Sequence, residues 1–193
     1  MPNNLITQQT WWQNYLDHVL MYEGKTSKDT RDPAYKCAPT KGGIHTNMGV
    51  TYCTFKSLAA YCHVTPVTYD RFLKMTKQDI SNFLYYGFYD YLNLKYFKPS
   101  IALSLLEIAW GAGPDDAAKA LSKALAKLGH PVPPSSHITM EMINQATKVG
   151  VNQLFSGIWN AYLDFLKSQT KKWAIYGAGY QARIDSFVQK FHP

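Results

Sequence analysis

The 193-residue chain has few cysteines, and they form no recognisable pattern. Cys37, Cys53 and Cys62 are odd in number and include no Cys-x-x-Cys pair, so neither a disulfide framework nor a zinc knuckle is predicted. His45 and His63 lie near them in sequence, but their spacing matches no known pattern of metal ligands. We therefore expect reduced thiols, synthesis in a reducing compartment, and neither a metal nor a cofactor.

Long apolar runs are also missing. No run approaches the roughly 18 residues that a membrane-spanning helix needs, so no integral membrane segment is expected. The opening sequence, MPNNLITQQTWWQNYL, lacks a basic segment before an apolar run and a small-residue cleavage site. We expect a protein made in the cytoplasm without a recognisable signal peptide. With 46% hydrophobic residues, the chain can bury a sizeable core as one domain or two closely packed lobes.

Acidic residues are scarcer than basic ones, at 13 against 20, which gives a net charge of +7. Such a charge attracts polyanions, and both nucleic acid and an anionic cell wall qualify. The basic residues are scattered, with Lys171-Lys172 the only adjacent pair, and the usual nucleic-acid motifs are absent. Nucleic acid is therefore not the expected partner, although a basic nucleic-acid-binding helical protein stays as an alternative. No pattern indicates an oligomeric state.

Apolar periodicity predicts a mainly α protein. Caps, prolines and glycines set the expected boundaries. The predicted helices are Thr10 to Glu23, Thr54 to His63, Thr76 to about Leu94, Ile101 to Trp110, Pro114 to Gly129, Met140 to Thr147, Asn152 to Ser168, and Tyr180 to Phe191. Thr76 and Asp79 have the spacing of a capping box at the start of the third helix. Only Lys36 to Thr51 looks extended and suits a short hairpin. The loop HPVPPSSHIT is a candidate boundary between lobes.

Glu23 is the leading candidate for chemistry. It falls in the last turn of the first predicted helix, and Gly24 suits the left-handed position that follows a helix. The negative end of the helix dipole disfavours an ionised carboxyl there, and enclosure by aromatic residues acts in the same direction. A carboxyl in such surroundings can donate a proton. The alternative interpretation is an exposed helix-end carboxylate without a catalytic part.

Glu107 is a second candidate, because it is the only charge in the apolar segment IALSLLEIAW. A lone carboxylate in a buried helix requires a partner. Glu107 is either a catalytic candidate or part of a buried hydrogen-bond network. The structural role is favoured, because buried polar groups more often hold the fold together through hydrogen bonds.

Several short motifs occur in one order along the chain. They are Glu23-Gly24, Asp32-Pro33, Gly42-Gly43, Thr46-Asn47-Met48-Gly49-Val50-Thr51, Glu107-Ile108-Ala109-Trp110-Gly111-Ala112-Gly113-Pro114 and Gly179-Tyr180-Gln181-Ala182-Arg183. Together they resemble the signatures of the bacterial and phage N-acetylmuramidases of glycoside hydrolase family 108, some of which are called secretion activator proteins. The family's motifs are Glu-Gly-Gly-Tyr, Asp-Pro, Gly-Gly, Thr-Asn-x-Gly-Ile-Thr, Asp-x-Ala-Val-Asn-x-Gly-Pro and Gly-Trp-x-x-Arg.

The resemblance implies a lysozyme-like, mainly α fold with a small β-hairpin after the first helix. It implies a muramidase-like catalytic lobe over residues 1–98 and a helical lobe over residues 99–193 that resembles a peptidoglycan-binding domain, packed as one compact unit. The implied activity is hydrolysis of the β-1,4 bond between N-acetylmuramic acid and N-acetylglucosamine in peptidoglycan. The family's catalytic glutamate falls on Glu23. Action on the cell wall, after holin-type export, would follow.

Glycoside hydrolysis also requires a second group besides the acid. Asp29 and Asp32 are the acidic residues on the following loop, and the position of Asp32 resembles the Glu, Asp, Thr arrangement of phage-type lysozymes, with Thr46 in the threonine's place. We expect Asp32 to activate or orient water and Thr46 to position it. Two structural interpretations remain as alternatives, in which Asp32 simply initiates a turn before Pro33 and Thr46 is simply a residue of the hairpin. The outcome, inverting or retaining, is also open.

Five further residues are predicted to contact the substrate, because aromatic rings cover the faces of pyranoses and polar groups bond to their hydroxyls. They are Tyr22, His45, Asn47, Glu107 and Trp110. A different class of function stays as an alternative, namely a cell-wall-binding or secretion-associated module without hydrolysis.

Overall fold

Helices make up most of the protein in a computed structural model that describes residues 5–23 and 25–193. The α-helices are α1 (Thr10–Glu23), α2 (Tyr52–Leu58), α3 (Tyr69–Leu73), α4 (Lys77–Asn82), α5 (Pro99–Ala112), α6 (Pro114–Lys127), α7 (Met140–Ala146), α8 (Val151–Ser168) and α9 (Thr170–Phe191). Short 3₁₀ helices cover Leu5–Gln8, Pro33–Cys37 and Leu94–Tyr96, and a π-helix covers Phe83–Asp90. The predicted mainly α class is confirmed.

A single hairpin interrupts the helices in the described part of the chain. Strand β1 (Thr46–Asn47) pairs antiparallel with β2 (Val50–Thr51). The two turn residues, Met48 and Gly49, both have positive φ, at 49° and 81°. A two-residue turn with two positive φ values matches the right-handed twist of the strands it joins, and glycine adopts this conformation at little cost. The predicted short hairpin is confirmed, although it is confined to the end of the predicted region.

Contacts between residues divide the chain into two units, Met1–Gly87 and Phe88–Pro193, and the division falls inside the π-helix. The expected division into a catalytic lobe and a wall-binding lobe at residues 98 and 99 stays a prediction.

The first unit is built on the apolar face of α1. Trp12, Tyr15 and Val19 recur at three- and four-residue spacing and are fully buried. Burying one such large side chain contributes about 1.5–3 kcal/mol. The Trp12 indole Nε1–H donates to Ser81 Oγ of α4 at 2.9 Å, which satisfies the polar end of the ring. The first helix is therefore fixed along its length, up to the turn that carries Glu23.

Two predicted helices in this unit have different bounds in the structure. The helix expected at Thr54 begins at Tyr52, because the Thr51 hydroxyl accepts a hydrogen bond from the Thr54 N–H at 3.1 Å and so caps it. It ends at Leu58 rather than His63. The capping box at Thr76 and Asp79 is confirmed, but the α-helix it starts ends at Asn82, and the π-helix continues from there.

The second unit surrounds α5, whose residues from Ile101 to Ala109 are all buried, as its apolar sequence predicts. The Trp159 Nε1–H of α8 donates to Ser104 Oγ of α5 at 3.0 Å. Helix α6 begins at Pro114, and Gly129, at φ 83°, follows its end as predicted. Helix α9 begins at Thr170, ten residues before the predicted start near Tyr180, and it runs through Gly177 and Gly179.

None of the helices within the described ranges combines the length and the apolar character needed to cross a membrane.

Candidate active site

A disulfide joins Cys37 to Cys53, with the two Cα atoms 5.2 Å apart. The expectation that all three thiols are reduced is therefore wrong. The pairing could not be recognised from a short cysteine motif, because the two partners are 16 positions apart and meet only when the loop folds back onto the hairpin. The bond ties the end of the 3₁₀ helix Pro33–Cys37 to the first turn of α2.

Cys62 is the remaining thiol, and it is buried. Desolvation raises its pKa to about 12, and a backbone hydrogen bond from Gly87 offsets this only in part. Across the described residues, no three His, Cys, Asp or Glu side chains gather in a way that would hold a metal ion.

The side chain of Asp32 makes two hydrogen bonds and is 41% exposed. Its Oδ1 accepts from the Ala34 N–H at 2.8 Å, which caps the 3₁₀ helix that begins at Pro33. Its Oδ2 lies 3.2 Å from His45 Nε2. Asp32 therefore initiates the turn, as one interpretation predicted, and it still presents part of its carboxylate to solvent, as the other requires.

His45 is completely buried beside Asp32. Its backbone N–H donates to the Ser27 carbonyl at 3.0 Å, and its carbonyl accepts from the Tyr52 N–H at 2.7 Å. The Tyr35 ring packs edge-on against the imidazole, with ring centres 5.7 Å apart. These contacts fix both the main chain and the ring of His45.

Thr46 is half-buried at the start of β1. It pairs with Thr51 on one side and forms an isolated antiparallel bridge with Ser27 on the other. The Ser27 N–H donates to the Thr46 carbonyl at 2.9 Å. Because Ser27 comes four positions after Glu23, this bridge connects the segment that leaves α1 with the hairpin.

Glu23 is the last residue of α1, as predicted, and its side chain is half-buried. The predicted helix-ending residue, Gly24, lies outside the described residues. Tyr22 is 38% exposed, and its ring centre lies 5.2 Å from that of the buried His18. The first unit thus carries Glu23, Asp32 and Thr46 on adjoining segments, which the Ser27 bridge and the bond from Asp32 to His45 connect.

Asn47 is buried at 5% exposure and connects the hairpin to α3. Its Nδ2 donates to the Phe72 carbonyl at 2.8 Å and to the Leu73 carbonyl at 3.3 Å. Tyr69 adds a second connection, because its hydroxyl donates to the Ile44 carbonyl at 3.1 Å. The side chain of Asn47, like that of His45, does not face solvent.

Glu107 and Trp110 both lie on α5 in the second unit. Glu107 is 5% exposed, and its Oε1 accepts from Arg183 Nε of α9 at 2.5 Å. The predicted need for a partner is thereby met. Trp110 is half-buried and packs edge-on against Phe88, with ring centres 5.5 Å apart.

Sequence patterns gave no sign of three features of this region. These are the disulfide, the hydrogen bond from His45 to Asp32, and the bridge from Ser27 to Thr46. Each joins residues that are far apart in the sequence and that no helical or strand periodicity relates. Each therefore depends on how the loop folds.

The sequence model of the glycosyl hydrolase 108 family matches residues 16–113, which are 98 of the 193 residues and include all eight predicted site residues. The chain belongs to this family. Among solved structures, one described as "Structure of Brucella abortus SagA" is similar at a TM-score of 0.71 and 20% sequence identity, over 92% of this chain and 91% of that one. No curated protein matches the chain.

The predicted family and the predicted lysozyme-like helical fold with a small hairpin are confirmed by these two findings. As a member of glycosyl hydrolase family 108, the chain is a glycoside hydrolase.

Proposed function

We propose that the protein hydrolyses peptidoglycan at the β-1,4 bond between N-acetylmuramic acid and N-acetylglucosamine, with Glu23 as general acid. The observation that carries this proposal is the family match over residues 16–113, which encloses a half-buried glutamate at the end of α1. The segment after that helix is bonded to the hairpin at Thr46, so the acid is held beside the loops that carry the other polar candidates.

In the proposed reaction, Glu23 donates its proton to the glycosidic oxygen as the bond from that oxygen to the anomeric carbon breaks. Water attacks the oxocarbenium-like state, and the water oxygen forms a bond to the anomeric carbon. Asp32 accepts a proton from this water, and the Thr46 hydroxyl orients it. Partial exposure of the Asp32 carboxylate supports this assignment, since a fully enclosed carboxylate would not reach a water molecule at the sugar.

Of the residues predicted to contact substrate, Tyr22 has the most suitable surroundings in the first unit. It is exposed and next to Glu23, so its ring can lie against a pyranose face. We assign His45 and Asn47 to positioning, because burial keeps their side chains from solvent. The net charge of +7 favours association with peptidoglycan, whose peptide carboxylates make it anionic. The proposed place of action is therefore the cell wall.

The replacement Glu23→Gln tests the proposal, because glutamine keeps the size of the side chain and cannot donate the acidic proton. We expect the variant to fold with an unchanged Tm and to lose clearing of a peptidoglycan suspension by at least about 100-fold. Glu141→Gln is the matched control, since Glu141 is exposed on α7 and loses the same charge. It should clear at the wild-type rate.

A folded Glu23→Gln variant with wild-type clearing would remove Glu23 from the mechanism. A wild-type protein that pellets with sacculi and releases no new reducing ends would instead identify a wall-binding module without hydrolysis. Neither result is compatible with the proposed activity.

A further inference from the structure

We propose that His45 is a positioning residue, which holds the Asp32 carboxylate in the orientation that hydrolysis requires and does not itself touch the glycan. The inference rests on the proposed function. Its basis is a hydrogen bond of 3.2 Å between His45 Nε2 and Asp32 Oδ2. The imidazole is fully buried, whereas the Asp32 side chain is 41% exposed.

The carboxylate of Asp32 is held at both of its oxygens. Oδ1 accepts from the Ala34 N–H and Oδ2 from His45. Two donors on different oxygens define the plane of the carboxylate and leave its remaining lone pairs free to accept from a water molecule. Among residues 5–23 and 25–193, the capping bond alone would hold the carboxylate once His45 is removed, and the carboxylate could rotate about it. Misorientation of a catalytic group is costly, because a shift of about 1 Å can lower a rate by a factor of roughly 100.

The geometry also assigns the tautomer of His45. An ionised carboxylate can only accept, so the proton of the pair is carried by Nε2. Nδ1 is buried and has no hydrogen-bond partner within residues 5–23 and 25–193. A second proton there would bury a donor without an acceptor, which is unfavourable. The tautomer with its proton on Nε2 is therefore the one that fits this site.

The ring cannot readily turn to another partner. Ser27 and Tyr52 hold the main chain of His45 on both sides, and Tyr35 packs against the imidazole. Tyr35 is fixed in turn, because its hydroxyl accepts from the Gly42 N–H at 2.6 Å. The loop and the hairpin thus present a single donor at a fixed point behind Asp32.

Two substitutions separate positioning from packing. His45→Gln retains an N–H donor near the position of Nε2, whereas His45→Leu fills space and has no donor. We expect His45→Leu to lower kcat by about 10- to 100-fold, the effect of losing a hydrogen bond to a charged group, with KM changed less than about twofold. His45→Gln should restore most of the lost kcat.

Ser81→Ala is the matched control, since it removes a buried hydrogen bond of the same unit, the one from Trp12. It should lower Tm and leave kcat unchanged. Folded His45→Leu with a wild-type kcat would overturn the inference. Equal losses in His45→Leu and His45→Gln would also overturn it, because the donor would then not matter.

Nitrogen-15 spectra of the imidazoles, in the wild type and in Asp32→Asn, test the same contact without relying on activity. We expect a proton on Nε2 of His45, a bare Nδ1, and a shift of the Nε2–H signal in Asp32→Asn. A proton on Nδ1, or a signal that ignores the change at Asp32, would overturn the inference. Absence of hydrolysis by the wild type would count against the proposed function alone, since these spectra would still report the hydrogen bond.

Discussion

The carboxylate of Asp32 accepts two hydrogen bonds whose donors come from different parts of the chain. The local donor, Ala34, follows from the Asp-Pro pattern and was predictable as a turn. The distant donor, His45, was not, because no periodicity relates residues that are 13 positions apart across an irregular loop. Glu23 was predictable as a helix end for the opposite reason, since the apolar spacing of α1 and the glycine after it are local signals.

Asp32→Asn separates the capping role of this residue from its proposed catalytic role. Asparagine can still cap the 3₁₀ helix, but its single side-chain oxygen cannot accept from both Ala34 and His45, so we expect a lower Tm. It cannot accept a proton from water, so kcat should fall by about 100- to 10,000-fold. Asp32→Ala is the control that loses both roles, with about 0.5–2 kcal/mol of stability lost as well. Thermal unfolding and reducing-end assays measure the two effects, and an unchanged kcat in Asp32→Asn would remove Asp32 from the reaction.

Cys62 should be inert in the folded protein. Burial raises the pKa of its thiol to about 12, so the reactive thiolate forms in the folded state only when pH rises towards that value. Ellman's reagent at pH 8 should therefore detect no thiol in the native protein and one after unfolding without reductant. Rapid labelling of the native protein would contradict the buried placement.

At the scale of elements, the loop from Pro33 and the hairpin at Thr46 are joined by the Cys37–Cys53 disulfide. The hairpin was predictable from its glycines and β-branched residues, whereas the pairing of the cysteines depends on the path of the loop. A covalent bond between the two segments restricts both of them in the unfolded chain.

Removing this disulfide should destabilise the protein and lower its activity together. For a loop of roughly 15 residues the expected loss is about 3 kcal/mol of unfolding free energy. We expect dithiothreitol and the double replacement Cys37→Ser, Cys53→Ser to lower Tm to a similar extent. The double variant is also the control, because it should not respond further to dithiothreitol. A wild-type Tm that reductant leaves unchanged, with both thiols shown to be free, would refute this assignment.

The ion pair between Glu107 and Arg183 joins α5 to α9 within the second unit. Breaking a buried ion pair by removing one partner is strongly destabilising, so Glu107→Ala should cost about 3–5 kcal/mol of unfolding free energy. Asp70→Asn is the comparison, since its pair with Lys74 is mostly exposed and should contribute less than about 1 kcal/mol. Denaturant unfolding measures both. A raised KM with unchanged stability in Glu107→Ala would support substrate binding instead.

The class of fold was predictable because most helices have clear apolar periodicity and caps. The errors lie where tertiary contacts override local signals. Helix α9 runs through Gly177 and Gly179, and five of the eight residues in the π-helix Phe83–Asp90 are aromatic. The family match ends at Gly113, within the second unit, whereas the likeness in fold covers 92% of the chain. The sequence features shared with the glycosyl hydrolase family thus lie in residues 16–113.

Mass spectrometry of the fragments released from purified peptidoglycan identifies both the bond that is cut and the need for Glu23. We expect fragments that end in reducing N-acetylmuramic acid from the wild type and from Glu141→Gln, and none from Glu23→Gln. Fragments that end in reducing N-acetylglucosamine, or undiminished release by folded Glu23→Gln, would contradict the proposed reaction.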